Sequence, residues 1–154
     1  MFKNLFKVTA LIAIFGLFQF CGDGVEVTQP EPEPTQNRLE CKVNGKDWSA
    51  STIFSLDTFG LFQVNGSVNL DVLQINLFDN ELAPGSYDLS SLPPAVVIQF
   101  IGLGDGFNSE ASGQVELLVN NSNLIAGRFN VRLKSLATGN TVELTRGEFL
   151  YEKR

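Results

Sequence analysis

Across "LIAGRFNVRLKS", Leu124 to Ser135, apolar and polar side chains alternate with a period of two. Ile125, Gly127, Phe129, Val131 and Leu133 fall on one side, and Ala126, Arg128, Asn130, Arg132 and Lys134 on the other. Successive side chains of a strand point to opposite faces, so this pattern defines a half-buried antiparallel strand. A helix would bring Arg128 and Arg132 in among the apolar residues. No window of ten residues from Arg38 to Arg154 carries a helical period.

The other strand-like runs point the same way. "SVNLDVLQINLF" (67–78) alternates through Val68, Leu70 and Val72 and resumes out of phase at Leu73, Ile75 and Leu77, which predicts one long strand with a bulge. "AVVIQFIG" (95–102) is an apolar run suited to a strand covered on both sides, and "GQVELLVN" (113–120) adds another strand. "TVELTRGEFLY" (141–151) changes phase around Gly147. Turn chemistry separates these runs: Asn-Gly at 44–45 and 65–66, Pro-Gly at 84–85, "NNSN" at 120–123 and "TGN" at 138–140. Asn-Gly is a strong hairpin signal because both central residues of a type I′ turn need positive φ. The expected fold is therefore all-β over residues 38–154, an antiparallel β-sandwich or small β-barrel of about seven to eight strands. Gly127 and Gly147 are expected where another backbone or an aromatic ring approaches closely.

Ahead of this domain the layout changes. "MFKNLFK" is a short basic start, and Val8 to Phe18 runs apolar without a charge. Eleven residues suit the roughly 7–15 of a signal-peptide core and fall short of the ~20 that cross a bilayer as a helix. Residues 1–20 read as a lipoprotein signal peptide, since "LFQFCGD" (17–23) resembles a bacterial lipobox. Phe20 departs from that pattern, standing where a small residue is usual. The expected lipidation site is Cys21, with the membrane as partner through the lipid. Residues 21–37 then form a disordered tether, because Pro30, Pro32 and Pro34 interleaved with Glu31 and Glu33 disfavour helix and sheet. The alternative is an unmodified Cys21 bridged to Cys41, closing a loop of ~20 residues worth ~3 kcal/mol. With lipid on Cys21, Cys41 is expected to be a small buried core residue.

"VNGKDW" (43–48), "PGSYDL" (84–89), "SGQVELL" (112–118), "IAGRFNVRL" (125–133) and "GNTVELTRGEF" (139–149) occur in that order. With them the chain resembles small Bacteroidota-type envelope lipoproteins. The resemblance implies a signal peptide, a short acidic or proline-bearing linker and a compact all-β domain of unknown function. It carries no catalytic residues over.

Chemistry is sparse. The chain contains no histidine, which removes the usual triads, histidine-ligated zinc and the commonest general base. "GLGDGF" (102–107) lacks the lysine and following helix of a phosphate loop. The expected reading is a non-enzymatic binding or structural domain without cofactor or metal, taking a protein or glycan ligand. Its rival is a secreted carboxylate-dependent, glycosidase-like hydrolase, which needs two carboxylates converging on a cleft.

Without Lys3 and Lys7 the chain carries 17 acidic and 9 basic residues, a net of −8. From Asp47 through Gly127 there are nine acids and no Lys or Arg. Nucleic acid is excluded as a partner, because neutralising phosphates takes clustered Lys and Arg. The acids are expected to serve solubility. Their one candidate for calcium is "GDGFNSE", where Asp105, Asn108 and Glu110 offer hard oxygen ligands outside any EF-hand pattern. Trp48, the single tryptophan, is expected to plug one end of the core, the alternative being an exposed ring that stacks on a sugar or partner.

Overall fold

The computed structural model describes residues 36–153, apart from the side chains of Ser109 and Glu110. Cys21, the signal peptide and the tether up to residue 35 lie outside the described residues.

Eleven strands and no helix make up the described chain. They are β1 (Arg38–Val43), β2 (Lys46–Ser49), β3 (Thr52–Thr58), β4 (Leu61–Val68), β5 (Asp71–Leu77) and β6 (Gly85–Asp88). They continue with β7 (Val96–Gly102), β8 (Asp105–Phe107), β9 (Ser109–Asn120), β10 (Leu124–Lys134) and β11 (Thr141–Glu152). The six-stranded sheet runs β2-β1-β11-β10-β9-β6 and the five-stranded sheet β3-β4-β5-β7-β8, with every neighbouring pair antiparallel. The two sheets pack face to face as a β-sandwich. Trp48 meets Phe100 edge-on at 6.4 Å across the layers, and Phe62 meets Tyr151 at 6.5 Å.

The strand that anchors the sequence reading behaves as expected. On β10, Ile125, Gly127, Phe129, Val131 and Leu133 are buried, and Arg128, Asn130 and Arg132 are exposed. The phase change in β11 is a bulge: Phe129 pairs with Gly147 and Val131 with Leu144, so Thr145 and Arg146 together oppose Asn130. Arg146 takes φ 51°, and its N–H donates to Asn130 Oδ1 at 2.8 Å. Gly127 and Gly147 are reciprocal: Gly127 stands opposite Phe149, and Gly147 opposite Phe129. A Cβ on Gly127 would lie 2.4 Å from Phe149 Cζ and 2.5 Å from the Glu116 carbonyl oxygen. On Gly147 it would lie 2.2 Å from the Phe129 ring.

Four expectations need correction. The strands number eleven, more than the seven to eight expected, partly because the run 67–78 is not one bulged strand. It turns back at Asn69–Leu70, where Val68 pairs with Asp71 and Asn69 adopts φ 54°. A two-residue hairpin turn shifts the inward parity by one, the same trace in sequence that a bulge leaves. The Asn-Gly at 44–45 makes its hairpin, with φ 48° and 83°, but the pair at 65–66 lies buried inside β4. There Gly66 faces the core, with no room for a Cβ beside Leu39 and Ala50. The β3–β4 turn falls instead at Phe59–Gly60. Finally, β7 is covered on one side only: Val96, Ile98 and Phe100 are buried, while Ile101 on the other face is exposed.

Candidate functional site

The strand order of the smaller sheet assembles a face that no single segment displays. Leu73, Ile75 and Leu77 of β5 point into the core, so Val72, Gln74 and Asn76 point outward. The register places Phe54, Asn65, Gln74 and Gln99 in one row across four strands. Leu56, Gln63, Asn76 and Val97 form the next row, and Thr52, Ser67, Val72 and Ile101 the row on the other side. None of these twelve residues is charged.

The amides of this face are only partly satisfied. Gln74 Nε2 donates to Asn65 Oδ1 at 2.9 Å. Asn65 is only 1% exposed, and its buried Nδ2 meets no acceptor. Asn76 Nδ2 reaches the Val97 carbonyl only at 3.5 Å. A buried donor left unpaired costs about 1–3 kcal/mol. Phe54 and Leu56, 46% and 52% exposed, form an apolar margin along β3.

At the edge of the sandwich lies a cleft of about 440 Å³, lined by Ser55, Asp57, Phe62, Glu81, Asn120 and Lys153 among others. Lys153 Nζ donates to Asn120 Oδ1 at 2.6 Å and sits 4.7 Å from the Phe62 ring centroid. Burial lowers the pKa of Lys153, and the neighbouring Asp57 charge works against that shift. Asn120 Nδ2 in turn donates to the carbonyls of Asn80 and Leu82, tying β9 to the loop after β5. Asp57 and Glu81 therefore line one cleft.

The structure also locates the other residues singled out in sequence. Cys41 is a buried free thiol, and burial pushes its pKa up to about 12, so it stays protonated and unreactive near neutrality. Trp48 is buried in the core, and its Nε1 has no hydrogen-bond partner. Asp105 is held in place by hydrogen bonds. Its carboxylate accepts from the hydroxyls of Thr138 and Ser135 (2.8 Å to Ser135) and from the Gly106 N–H at 2.8 Å. Those bonds, the Thr138 hydroxyl first, hold its pKa below the ordinary carboxylate value. Asn108 is exposed, and no cluster of three or more His, Cys, Asp or Glu able to hold a metal occurs among the described residues. Titrating the protein with Ca²⁺ is expected to leave its melting temperature unchanged; a clear rise would make Asp105, Asn108 and Glu110 ligands.

The outward amides escaped the sequence reading, although a signal exists. Gln63, Asn65 and Ser67 alternate with Phe62, Val64 and Gly66, and Gln74 and Asn76 alternate with Leu73, Ile75 and Leu77. Treating 67–78 as one strand hid the fact that the two polar stripes lie side by side.

Fold and face together define a two-sheet antiparallel β-sandwich with an uncharged, amide-lined outer surface. Comparison with protein-family models, curated proteins and solved structures finds no match for this chain.

Proposed function

We propose that this chain is a lipid-anchored cell-envelope protein whose β-domain is a non-enzymatic binding module for a neutral glycan. Cys21 carries the lipid, residues 21–37 are the tether, and the outer face of the five-stranded sheet is the binding surface. One observation carries the reading of the ligand: the register sets the amides of Gln63, Gln74 and Gln99 on one uncharged outer face. Sugar hydroxyls both donate and accept, which matches side-chain amides, and the apolar faces of the rings pack on side chains such as Phe54. A neutral ligand also avoids the repulsion that an acidic polymer would meet on a chain of net charge −6. The lipobox-like "LFQFCGD", the Pro/Glu tether and the resemblance to small Bacteroidota-type envelope lipoproteins support the placement in the envelope.

Affinity electrophoresis through gels containing dextran, mannan or starch tests the ligand class, with polygalacturonate and heparin as charged comparisons. Retardation by at least one neutral polysaccharide is expected, and Gln99→Glu and Phe54→Ala should each weaken it. Retardation by the charged polymers alone, or by none, refutes the neutral-glycan reading.

The secreted carboxylate-dependent hydrolase remains a second reading because Asp57 and Glu81 share a cleft. Incubation with the same neutral polysaccharides distinguishes the two. Release of reducing ends that Asp57→Asn or Glu81→Gln abolishes would establish the enzyme, and intact polymer supports the binding module.

A further inference from the structure

Two sheets leave four strand edges: β2 and β6 in the larger, β3 and β8 in the smaller. An unpaired edge is a template for another strand, and native sheets blunt it with brevity, charge or proline. Three of the four are blunted in this way. β2 and β6 are four residues long and β8 is three. Lys46 and Asp47 lie on β2, Pro84 directly precedes β6, and Asp105 on β8 is tied to Ser135 and Thr138.

The fourth edge lacks these features. β3 is seven residues long, has no proline, and pairs with β4 without a break from Thr52↔Ser67 to Thr58↔Leu61. Its single charge is Asp57, and Phe54 and Leu56 stand exposed on its outer face.

We infer that β3 pairs antiparallel with β3 of a second copy, joining the two smaller sheets into one ten-stranded sheet. Only one symmetric register pairs all seven residues, and its two-fold axis passes through Ser55. Phe54 then faces Leu56 of the second copy on the outer face, and Leu56 faces Phe54, so each exposed apolar side chain gains an apolar cross-strand neighbour. Thr52 and Thr58 pair at the ends. The charges are compatible as well: Asp57 faces Ile53 of the second copy. The two Asp57 side chains stand four positions apart along the strands, about 14 Å, beyond the ~8 Å over which exposed charges act at physiological salt. The uncharged outer faces of the two copies become continuous. This pairing stands independently of the ligand proposed for that face.

The test uses the full chain purified in mild detergent. Light scattering corrected for detergent should give twice the single-chain mass for the unsubstituted protein and the single-chain mass for Leu56→Lys. Leu56 is 52% exposed in the single chain, so Leu56→Lys should still fold; Phe54→Lys provides a second variant if it does not. Oxidative cross-linking reads the register. Ser55→Cys should yield a covalent dimer, whereas Ser86→Cys on the β6 edge and the unsubstituted chain with its own Cys21 and Cys41 should not. A single-chain mass for the unsubstituted protein, or equal cross-linking through Ser86→Cys, overturns the pairing. So does a stoichiometric complex in which β3 of one copy holds a strand of a different protein.

Discussion

Gly127→Val is expected to lower the melting temperature of the domain by roughly 10 °C, corresponding to about 3 kcal/mol. The first atom of the new side chain would lie 2.4 Å from Phe149 Cζ and 2.5 Å from the Glu116 carbonyl oxygen. The ring can rotate or shift; the carbonyl belongs to the β9–β10 ladder, where Arg128 pairs with Glu116, and cannot move without disturbing it. Trimming the ring in Gly127→Val/Phe149→Leu should therefore recover only part of the loss. Gly147→Val behaves differently, since the three nearest obstacles to its Cβ are all atoms of the Phe129 ring. Pairing it with Phe129→Leu should recover a larger share, giving a stronger coupling in a double-mutant cycle. Thermal denaturation of these four variants and of the single variants Phe149→Leu and Phe129→Leu measures both couplings. An unchanged melting temperature for Gly127→Val would falsify the close approach of β9, β10 and Phe149.

The second large effect concerns attachment. Cys21→Ser should block lipid addition and remove the protein from washed membranes, or leave an unprocessed precursor held by its apolar segment. Each buried methylene contributes ~0.8 kcal/mol, so one acyl chain holds a protein marginally and two hold it firmly. Intact-mass measurement separates the outcomes. Lipid mass on a chain beginning at Cys21 supports the anchor. A mature chain with unmodified Cys21 disulfide-bonded to Cys41 contradicts it, and the structure sets a physical obstacle to that bridge: Cys41 is a buried thiol of the sandwich core. A bulky partner at Cys41 would have to displace the packing around it, at a cost of about 1–3 kcal/mol.

The two paired glycines illustrate how far local pattern reaches. A glycine among the inward positions of a strand signals that something large lies beside it, and at Gly127 and Gly147 that inference held. Chain alternation likewise marked every inward residue of β10, because the period of two is a property of one strand and needs no knowledge of its neighbours. The same rule misread residues 67–78. A bulge and a two-residue turn both shift the parity by one, and only the pairing of Val68 with Asp71 distinguishes them. Asn65-Gly66 failed for a related reason. Its turn propensity is real, but burying Gly66 beneath Leu39 and Ala50 and pairing Asn65 with Gln74 outweighed it.

Local chemistry alone thus determined the all-β class, the two faces of β10 and the hairpin at Asn44–Gly45, and favoured buried places for Cys41 and Trp48. The tertiary structure decided which strands are neighbours, and with that everything belonging to the surface they share. Gln63, Asn65, Gln74 and Gln99 come from three strands, and their adjacency follows from hydrogen-bonded register between segments as much as 36 residues apart. The unprotected edge at β3 is likewise a property of sheet order. Periodicity acts within a strand, whereas a binding face and an open edge arise between strands, where long-range pairing supplies information that no local pattern holds.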